Sequence, residues 1–475
     1  MGAGFAMRSF FRMRVVANYD RLVHDQPLRV AVVGSGPAGF YAADALLKSE
    51  DPPVEVDLID RLPTPWGLVR LGVAPDHENI KAVSRAFEKT AARPGFRFFG
   101  NVEVGSTVSH EDLLQLYDAV VYTVGAQTDR RLGIPGEDLP GSWAATEFVA
   151  WYNGHPDFQD RTFDLTHERA VVIGNGNVAI DCARLLALTP EELAPTDTTH
   201  EAIDAINSAG VQEILMLGRR GPVQAAFTPP ELKELGELAG ADVIVDPADL
   251  QLDEASEREL EADRVRAHRN FELLEEYAAR EPEGKPRRIV LRFLVSPVAI
   301  LGEDKVEGVE IVHNELVEED GRIVARPTGE LEVIPAGLVL RSVGYKGVPL
   351  PGVPFDERSG TIPNDRGRVE GAERTYAAGW IKRGPSGVIG TNKKDATETV
   401  QLLLEDARAG KLGRSAEAPT LEALLDERGV NYVEYDGWEA IDAAERSAGE
   451  PLGRPRVKLK HWEKLLETGL KKITR

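Results

Sequence analysis

Residues 28–39 are LRVAVVGSGPAG, and this stretch decides the fold. A β-branched run is followed by glycines in the pattern GxGxxG, and small apolar residues then recur at helical spacing. We expect a strand, a tight turn and a helix, in which Gly34 allows the turn, Gly36 lets backbone N–H groups approach a pyrophosphate, and Gly39 permits close helix packing. The strand VEVDLID ends in Asp60, where an acidic side chain is expected to bind ribose hydroxyls, unless it is only a solvated strand-end acid.

A second copy of this pattern begins at Arg169, where RAVVI precedes GNGNVA at 174–179. It predicts a second dinucleotide-binding unit, with alanine at the third position of the fingerprint. The strand LMLGRRGP then ends in Arg219 and Arg220, at the position where NAD enzymes usually carry an acid. A guanidinium pair at that position suits a 2′-phosphate and therefore favours NADP over NAD, although paired arginines at a strand end can also be surface charge.

The two units are expected to form one α/β protein with interleaved domains. Two strands, YDAVVYTVGA at 117–126 and AGLVLRSVGYKG at 336–347, end in similar glycine-containing turns, which predicts that the chain crosses between domains near Gly125 and Gly344. We therefore expect two Rossmann-like domains. Residues 28–125 and 345–475 form the discontinuous first one, residues 126–344 form the inserted second one, and residues 1–27 are an extension that could be disordered.

Composition narrows the function. Lys and Arg number 56 against 78 Asp and Glu, and the net charge of −22 argues against nucleic acid and membrane surfaces as partners. Apolar runs stay below the ~18 residues that span a bilayer, so no membrane insertion is expected. The N-terminal arginines are compatible with a targeting segment, but that stretch lacks a long apolar core, which favours a cytoplasmic protein.

Cys182 is the one cysteine of the chain. A single thiol excludes an internal disulfide, a CxxC redox pair, an iron–sulfur cluster and a cysteine-rich zinc site. We expect Cys182 to be a small buried hydrophobe and predict no metal site. Any redox chemistry must therefore come from bound cofactors.

Four motifs carry a family resemblance: PTPWGLVRLGVAPDH at 63–77, VIGNGNVAID at 172–181, GRRGPVQAAF at 218–227 and GWIKRGPSGVIGTNKKDA at 379–396. Together they resemble the adrenodoxin-reductase type of ferredoxin–NADP reductase, over about residues 28–475. The resemblance implies FAD in the first domain and NADPH in the second. It also implies hydride transfer from NADPH to the flavin and single-electron delivery to an iron–sulfur ferredoxin.

The resemblance also assigns site residues. Positions matching the family's FAD contacts are Ala38, Asp60, Leu68, Val104, Trp380, Gly387, Val388 and Ile389. Those matching its NADP contacts are Arg130, Asn175, Gly176, Asn177, Val178, Arg219, Arg220 and Glu231. Asp60 departs from the family's usual glutamate by one methylene, which puts a direct ribose contact in doubt.

His77 and Glu234 correspond to a histidine and an acid near the nicotinamide–flavin junction and are the catalytic candidates. Hydride transfer itself needs no protein base, but such a pair could protonate reduced flavin or stabilise its charge. Two simpler interpretations remain open: His77 could cap a helix from Glu78, and Glu234 could lie on a solvated helix face.

The implied partner is an acidic ferredoxin, which would need a local basic patch on this acidic chain. Candidate cations are Arg264, Arg266 and Arg269, and the basic residues of 382–394, including Lys393 and Lys394. A monomer is favoured, although the sequence does not fix the oligomeric state. An NADPH oxidase or flavin monooxygenase, and a non-catalytic nucleotide sensor, remain alternatives.

Overall fold

The computed structural model describes residues 26–387 and 389–470. The predicted extension 1–27 therefore lies almost wholly outside the described residues, as does Val388.

The first unit is built on a seven-stranded sheet. Its five neighbouring parallel strands are Thr375–Ala377, Ala119–Tyr122, Leu28–Val33, Val54–Ile59 and Phe96–Phe99, in that spatial order. Two short antiparallel strands, Asn364–Asp365 and Arg368–Val369, extend the edge next to Thr375–Ala377. The apolar run predicted to form the first strand thus lies at the centre of the sheet.

Both faces of this sheet are covered. Val30 and Val32 pack with Phe40 of the following helix, whereas Ala31 and Val33 belong to a second buried cluster on the other face. A parallel sheet buried on both faces explains why the strand is continuously apolar rather than alternating. The helices of this unit are Pro37–Leu46, Leu68–Leu71, Glu78–Lys81, Ser84–Ala91, His110–Leu116, Trp380–Arg383, Ile389–Arg408, Leu421–Glu427, Tyr435–Gly449 and Trp462–Gly469.

The second unit is built on a six-stranded parallel sheet. Its strands, in spatial order, are Ser142–Ala144, Leu338–Arg341, Arg169–Ile173, Glu213–Leu217, Arg287–Arg292 and Ala241–Val245. An antiparallel sheet of Val295–Leu301, Gly308–Glu319 and Arg322–Pro335 packs on one face. The helices are Ala145–Tyr152, Asn177–Ala187, Pro190–Leu193, His200–Asn207, Pro229–Leu235, Glu254–Ala262 and Ala267–Ala279, and 3₁₀ turns lie at Pro156–Phe158, Pro222–Gln224 and Pro247–Leu250.

Two chain segments connect the units side by side. Strand Thr128–Asp129 pairs antiparallel with Tyr345–Lys346, directly after Gly125 and Gly344, which both have positive φ. The first sheet draws strands from both ends of the chain and the second from between them, so the predicted fold class is confirmed.

The C-terminal segment, residues 450–470, returns from the first unit to the second. Arg454 Nε donates to the Thr196 carbonyl at 2.7 Å, and Trp462 Nε1 donates to Asp157 at 2.7 Å. The two units are therefore held together by side-chain contacts as well as by the connecting strands. Within the described residues, no helix is both long and apolar enough to cross a membrane.

Candidate active site

The first glycine loop, residues 34–39, leaves room at one position only. A Cβ on Gly34 would lie 2.7 Å from the Thr123 carbonyl carbon, and one on Gly39 would lie 2.0 Å from the Gly34 oxygen. A Cβ on Gly36 would have no neighbour within 4 Å, although Gly36 directly precedes the helix Pro37–Leu46. Open space at a helix N-terminus suits the negative pyrophosphate of a dinucleotide.

Two further segments approach this loop so closely that only glycine fits. A Cβ on Gly67 would lie 2.9 Å from Gly36 Cα, and one on Gly379 would lie 2.6 Å from the Ala38 Cβ. Leu68 and Trp380 follow directly, so the fold brings both to the loop.

The indole Nε1 of Trp380 is buried without a hydrogen-bond partner, and its ring lies 5.4 Å from that of Tyr345. An unpaired donor and an aromatic face beside the glycine loop fit a flavin ring. Val104 lies in the buried cluster of Val33 and Ile59. Gly387 is exposed and Ile389 half-buried, at the start of the long helix.

Asp60 has a structural role that the sequence did not reveal. Its Oδ2 accepts hydrogen bonds from the Ser35 backbone N–H at 2.7 Å and the Ser35 hydroxyl at 2.6 Å, and its Oδ1 accepts from the Leu62 N–H at 2.9 Å. The carboxylate thereby ties the strand end to the glycine loop. A ribose contact has to use the lone pairs that remain.

The second glycine loop, residues 174–179, repeats the arrangement of the first. A Cβ on Gly174, whose φ is +131°, would lie 2.2 Å from the Ser342 oxygen, whereas one on Gly176 would meet nothing within 4 Å. Asn175 connects this loop to the turn at 221–227, which follows Arg219 and Arg220, since its carbonyl accepts from Ala226 and Phe227 N–H at 3.0 Å. This loop is therefore also open at a helix N-terminus.

Asn177 connects the second glycine loop to the helix that carries the predicted acids. Its Oδ1 accepts from the Thr228 N–H at 2.8 Å, and Thr228 precedes helix Pro229–Leu235, which bears Glu231 and Glu234. Val178, next on the chain, is half-buried.

Three arginines were predicted to contact NADP: Arg219 and Arg220, which follow strand Glu213–Leu217, and Arg130, which follows strand Thr128–Asp129. Arg219 is exposed, and Arg220 is half-buried with Nη2 donating to the Gln224 carbonyl at 3.4 Å. Arg130 is exposed and donates from Nη2 to the Ser359 carbonyl at 3.4 Å, next to the connecting strands. Burial and the neighbouring Arg219 lower the pKa of Arg220.

His77 and Glu234 meet at the contact between the two units. His77 Nε2 lies 2.7 Å from Glu234 Oε2 and 2.7 Å from Arg184 Nη1, and Arg184 also pairs with Asp76. His77 is the N-cap residue of helix Glu78–Lys81, but its side chain makes no capping hydrogen bond. The capping interpretation of the His77 side chain is therefore wrong, and the Glu234 carboxylate is paired even though its side chain is 42% exposed.

The two hydrogen bonds of His77 Nε2 exclude each other. This atom must carry a proton to donate to Glu234 and a lone pair to accept from Arg184. Only one of the two contacts can be a hydrogen bond at a time, and the tautomer of His77 decides which one.

Two acids beside this cluster each have a buried oxygen without a hydrogen-bond partner. Glu231 Oε2 lies 3.7 Å from His77 Nε2 and has no hydrogen-bond partner, and Asp181 Oδ1 lies 3.8 Å from Arg184 Nη1, also without one. Burial raises the pKa of Glu231, and it raises the pKa of Asp181 well above its usual range. Sequence reasoning missed Asp76, Asp181 and Arg184.

His77, Glu231 and Glu234 place their ligand atoms within 4.8 Å of one another, a spacing that could hold a cation. However, the Arg184 guanidinium already contacts His77 Nε2. Its positive charge opposes a metal ion there, and we assign none.

A second ionic contact joins the units beside His77. Asp197 accepts from Lys81 Nζ at 2.7 Å and pairs with Lys458 Nζ at 3.2 Å, and Lys458 also donates to Asn153 at 3.1 Å. Asp197 and Lys458 are both buried. We call Lys81, Asp197 and Lys458 the interdomain ion cluster.

Comparisons with known proteins agree with this geometry. The family model described as pyridine nucleotide-disulphide oxidoreductase matches residues 28–195. The NADPH-ferredoxin reductase FprA of Mycobacterium tuberculosis is 52% identical over 94% of this chain and its own whole length. The mitochondrial NADPH:adrenodoxin oxidoreductase of Arabidopsis thaliana is 41% identical over 97% of this chain and 99% of its own. A solved structure of M. tuberculosis FprA in complex with NADPH has a TM-score of 0.90 and 51% identity, covering 94% of this chain and all of that one.

The fold and the two glycine loops define a pyridine-nucleotide oxidoreductase of two dinucleotide-binding units. Within that class, the chain belongs to the family of NADPH-ferredoxin reductases and adrenodoxin reductases. The family predicted from the four motifs is confirmed.

Proposed function

We propose that the protein is an FAD-containing NADPH–ferredoxin reductase. The observation that carries this proposal is the direct contact of Asp76 and His77, from the first unit, with Arg184 and Glu234, from the second. A junction of this kind is needed where one bound dinucleotide must pass hydride to another.

The cofactors are FAD and NADPH. When bound, FAD accepts hydride from NADPH and releases electrons singly, and this chemistry belongs to the cofactor. The first glycine loop would hold the pyrophosphate of FAD, and Asp60 would lie at its ribose. The remainder of FAD would be surrounded by Leu68, Val104, Trp380 and the 387–389 segment. The backbone N–H groups and the dipole of helix Pro37–Leu46 supply the stabilisation of the phosphates.

NADPH occupies the second glycine loop in this proposal. Asn175 to Val178 and the N-terminus of helix Asn177–Ala187 would bind its pyrophosphate, and Arg219 and Arg220 its 2′-phosphate. Glu231 Oε2, buried and unpaired, is placed to accept a hydrogen bond from a neutral donor such as the carboxamide of the nicotinamide. Arg130, on the connecting segment, would contact NADPH from the side of the first unit.

In this proposal, Arg184 and Glu234 hold the His77 ring at the contact between the two units, and Glu234 exchanges a proton with His77 Nε2. Arg184 contacts His77, which lies between Glu231 and Glu234. The exposed side of Glu234 gives the proton a route to solvent. His77 and Glu234 thus act on charge at the flavin rather than on the hydride itself.

The partner is an iron–sulfur ferredoxin, and we place its docking near the long helix of the first unit. Lys393 and Lys394 are exposed there and form no ion pair with any described residue, as is also true of Arg264 in the second unit. Lys382 cannot contribute as the sequence suggested, because it is buried and pairs with Asp395 at 2.9 Å and Glu398 at 3.3 Å. A cytoplasmic monomer is the form in which we expect the enzyme to act.

The test is anaerobic reduction of the purified protein's flavin by NADPH and by NADH, followed by ferredoxin reduction. Rapid reduction by NADPH and slow reduction by NADH support the proposal, provided that ferredoxin reduction follows. Rapid oxygen consumption without ferredoxin would instead establish an NADPH oxidase or a monooxygenase. A purified protein without the ~450 nm flavin band would contradict any flavin enzyme.

A further inference from the structure

Arg264, Arg266 and Arg269, at the junction of helices Glu254–Ala262 and Ala267–Ala279, do not form one cationic face. Arg269 is exposed and pairs with Glu272 at 2.8 Å on its own helix, and Arg264 lies exposed in the turn before that helix. Arg266 instead folds back onto the body of the second unit. Its Nη1 donates to the Ala225 carbonyl at 3.3 Å, and its Nε donates to Asp263 at 3.3 Å.

Ala225 belongs to the turn that follows the predicted 2′-phosphate arginines. Arg220 Nη2 donates to the Gln224 carbonyl, and Arg266 Nη1 donates to the next carbonyl, that of Ala225. Two guanidinium groups from separate segments of the chain therefore lie on consecutive peptide groups of one turn. Arg266 also lowers the pKa of Arg220, although less than burial and Arg219 lower it and less than the nearby Glu259 raises it.

The position of Arg266 is fixed by packing. It immediately precedes helix Ala267–Ala279, whose Asn270 is buried and donates from Nδ2 to the Phe227 carbonyl at 2.9 Å. This contact attaches the first turn of the helix to the far end of the same turn that Arg220 and Arg266 contact. The guanidinium is thus held in place before any ligand arrives, which lowers the entropy lost on binding.

Arg219, Arg220 and Arg266 are neighbouring positive charges, and an anion bound among them would be stabilised. Within the described residues, no carboxylate lies within ion-pair distance of Arg219 or Arg220, and Arg266 Nη2 has no hydrogen-bond partner. A phosphate dianion placed among the three would relieve their repulsion and accept several charge-assisted hydrogen bonds.

We propose that Arg266 is a third arginine of the 2′-phosphate site and a determinant of NADPH over NADH. This proposal rests on the proposed function, because it assumes that Arg219 and Arg220 contact the same phosphate. The inserted helices Glu254–Ala262 and Ala267–Ala279 then have a role in cofactor selection, since they deliver this side chain.

The test compares 2′,5′-ADP with ADP as ligands of the flavin-loaded protein. Arg266→Gln should weaken 2′,5′-ADP binding about tenfold, the loss of one charge-assisted contact, and leave ADP binding within about twofold. Arg266→Lys should give an intermediate value, because it keeps the charge and loses the planar fork. Arg280→Gln, at the opposite end of the same helix, should bind both ligands like wild type.

Three outcomes would overturn the assignment: unchanged 2′,5′-ADP affinity, an equal loss for both ligands, or an effect confined to ferredoxin reduction. An equal loss would indicate a structural role, and thermal unfolding of each variant checks this separately. If wild type itself did not prefer 2′,5′-ADP, the NADPH preference of the proposed function would fail together with this inference. A preference lost in Arg219→Gln but kept in Arg266→Gln would refute the inference alone.

Discussion

Replacing Asp197 by Asn should loosen the contact between the two units. The Asp197 side chain is only 6% exposed and lies between Lys81 of the first unit and Lys458 of the C-terminal segment. Although burial alone would raise it, the two lysines hold the pKa of Asp197 at about 2, against an ordinary value of 3.8. Burial lowers the pKa of Lys458, which opposes the pair, but the short contacts of both ammonium groups with the carboxylate favour the charged form.

The pKa of Asp197 sets the size of the effect. A decrease from 3.8 to about 2 corresponds to about 2 kcal/mol of stability at neutral pH. The Asp197→Asn change would also leave two lysines without their anion, and breaking a buried pair costs about 3–5 kcal/mol in comparable cases. Because the folded pKa is depressed, this stabilisation is complete above pH ~5, falls to roughly half by pH ~3, and disappears as the pH passes below about 2.

Denaturant unfolding from pH 7 to pH 3 measures this, with flavin release as a second signal. Asp197→Asn should lose about 2–5 kcal/mol at pH 7, and the difference from wild type should shrink toward pH 3. Glu201→Gln is the matched control, since Glu201 pairs with Lys460 of the same segment but its side chain is 60% exposed, so it should lose less than about 1 kcal/mol. An Asp197→Asn variant within about 0.5 kcal/mol of wild type, or a difference independent of pH, would show that the Asp197 ion pairs do not stabilise the contact between the units.

Four further substitutions test the sites. Gly36→Val should fold but purify without the flavin absorbance, because its side chain would enter the open space that we propose for the pyrophosphate; a yellow variant would contradict this. Gly176→Val should keep its flavin and raise the KM for NADPH at least about tenfold, and an unchanged KM in steady-state assays would argue against that loop. Arg184→Lys should slow flavin reduction by NADPH about tenfold or more in stopped flow, since lysine loses the planar fork whose two Nη atoms contact His77 and Asp76 separately; a wild-type rate would remove its positioning role. Cys182→Ala should retain activity, and the wild-type thiol should resist labelling until unfolding, because burial raises its pKa well above the usual value; fast labelling of native protein would contradict this.

The sequence predicted most of the fold because its signals are local. Each glycine loop lies between an apolar strand and a helix, and all three parts are consecutive in the chain. The C-terminal helices, such as Tyr435–Gly449, carry no motif and were not predicted.

The candidate site was only partly predictable, because its polar contacts join distant segments. Arg184 is separated from Asp76 by 108 residues, and one arginine in an amphipathic helix resembles any solvated residue. The available signal was its spacing: Asp181 and Arg184 are polar residues one turn apart on an otherwise apolar helix. Lys382 shows the opposite error, because counting cations along the chain does not reveal that Asp395 and Glu398 neutralise it.

NADPH-driven cytochrome c reduction with and without an acidic two-iron ferredoxin tests the proposed reductase activity. We expect a rate that requires ferredoxin, falls with rising salt, and is at least about tenfold lower when NADH replaces NADPH. Equal rates with and without ferredoxin, or equal rates with the two nucleotides, would contradict the proposed activity.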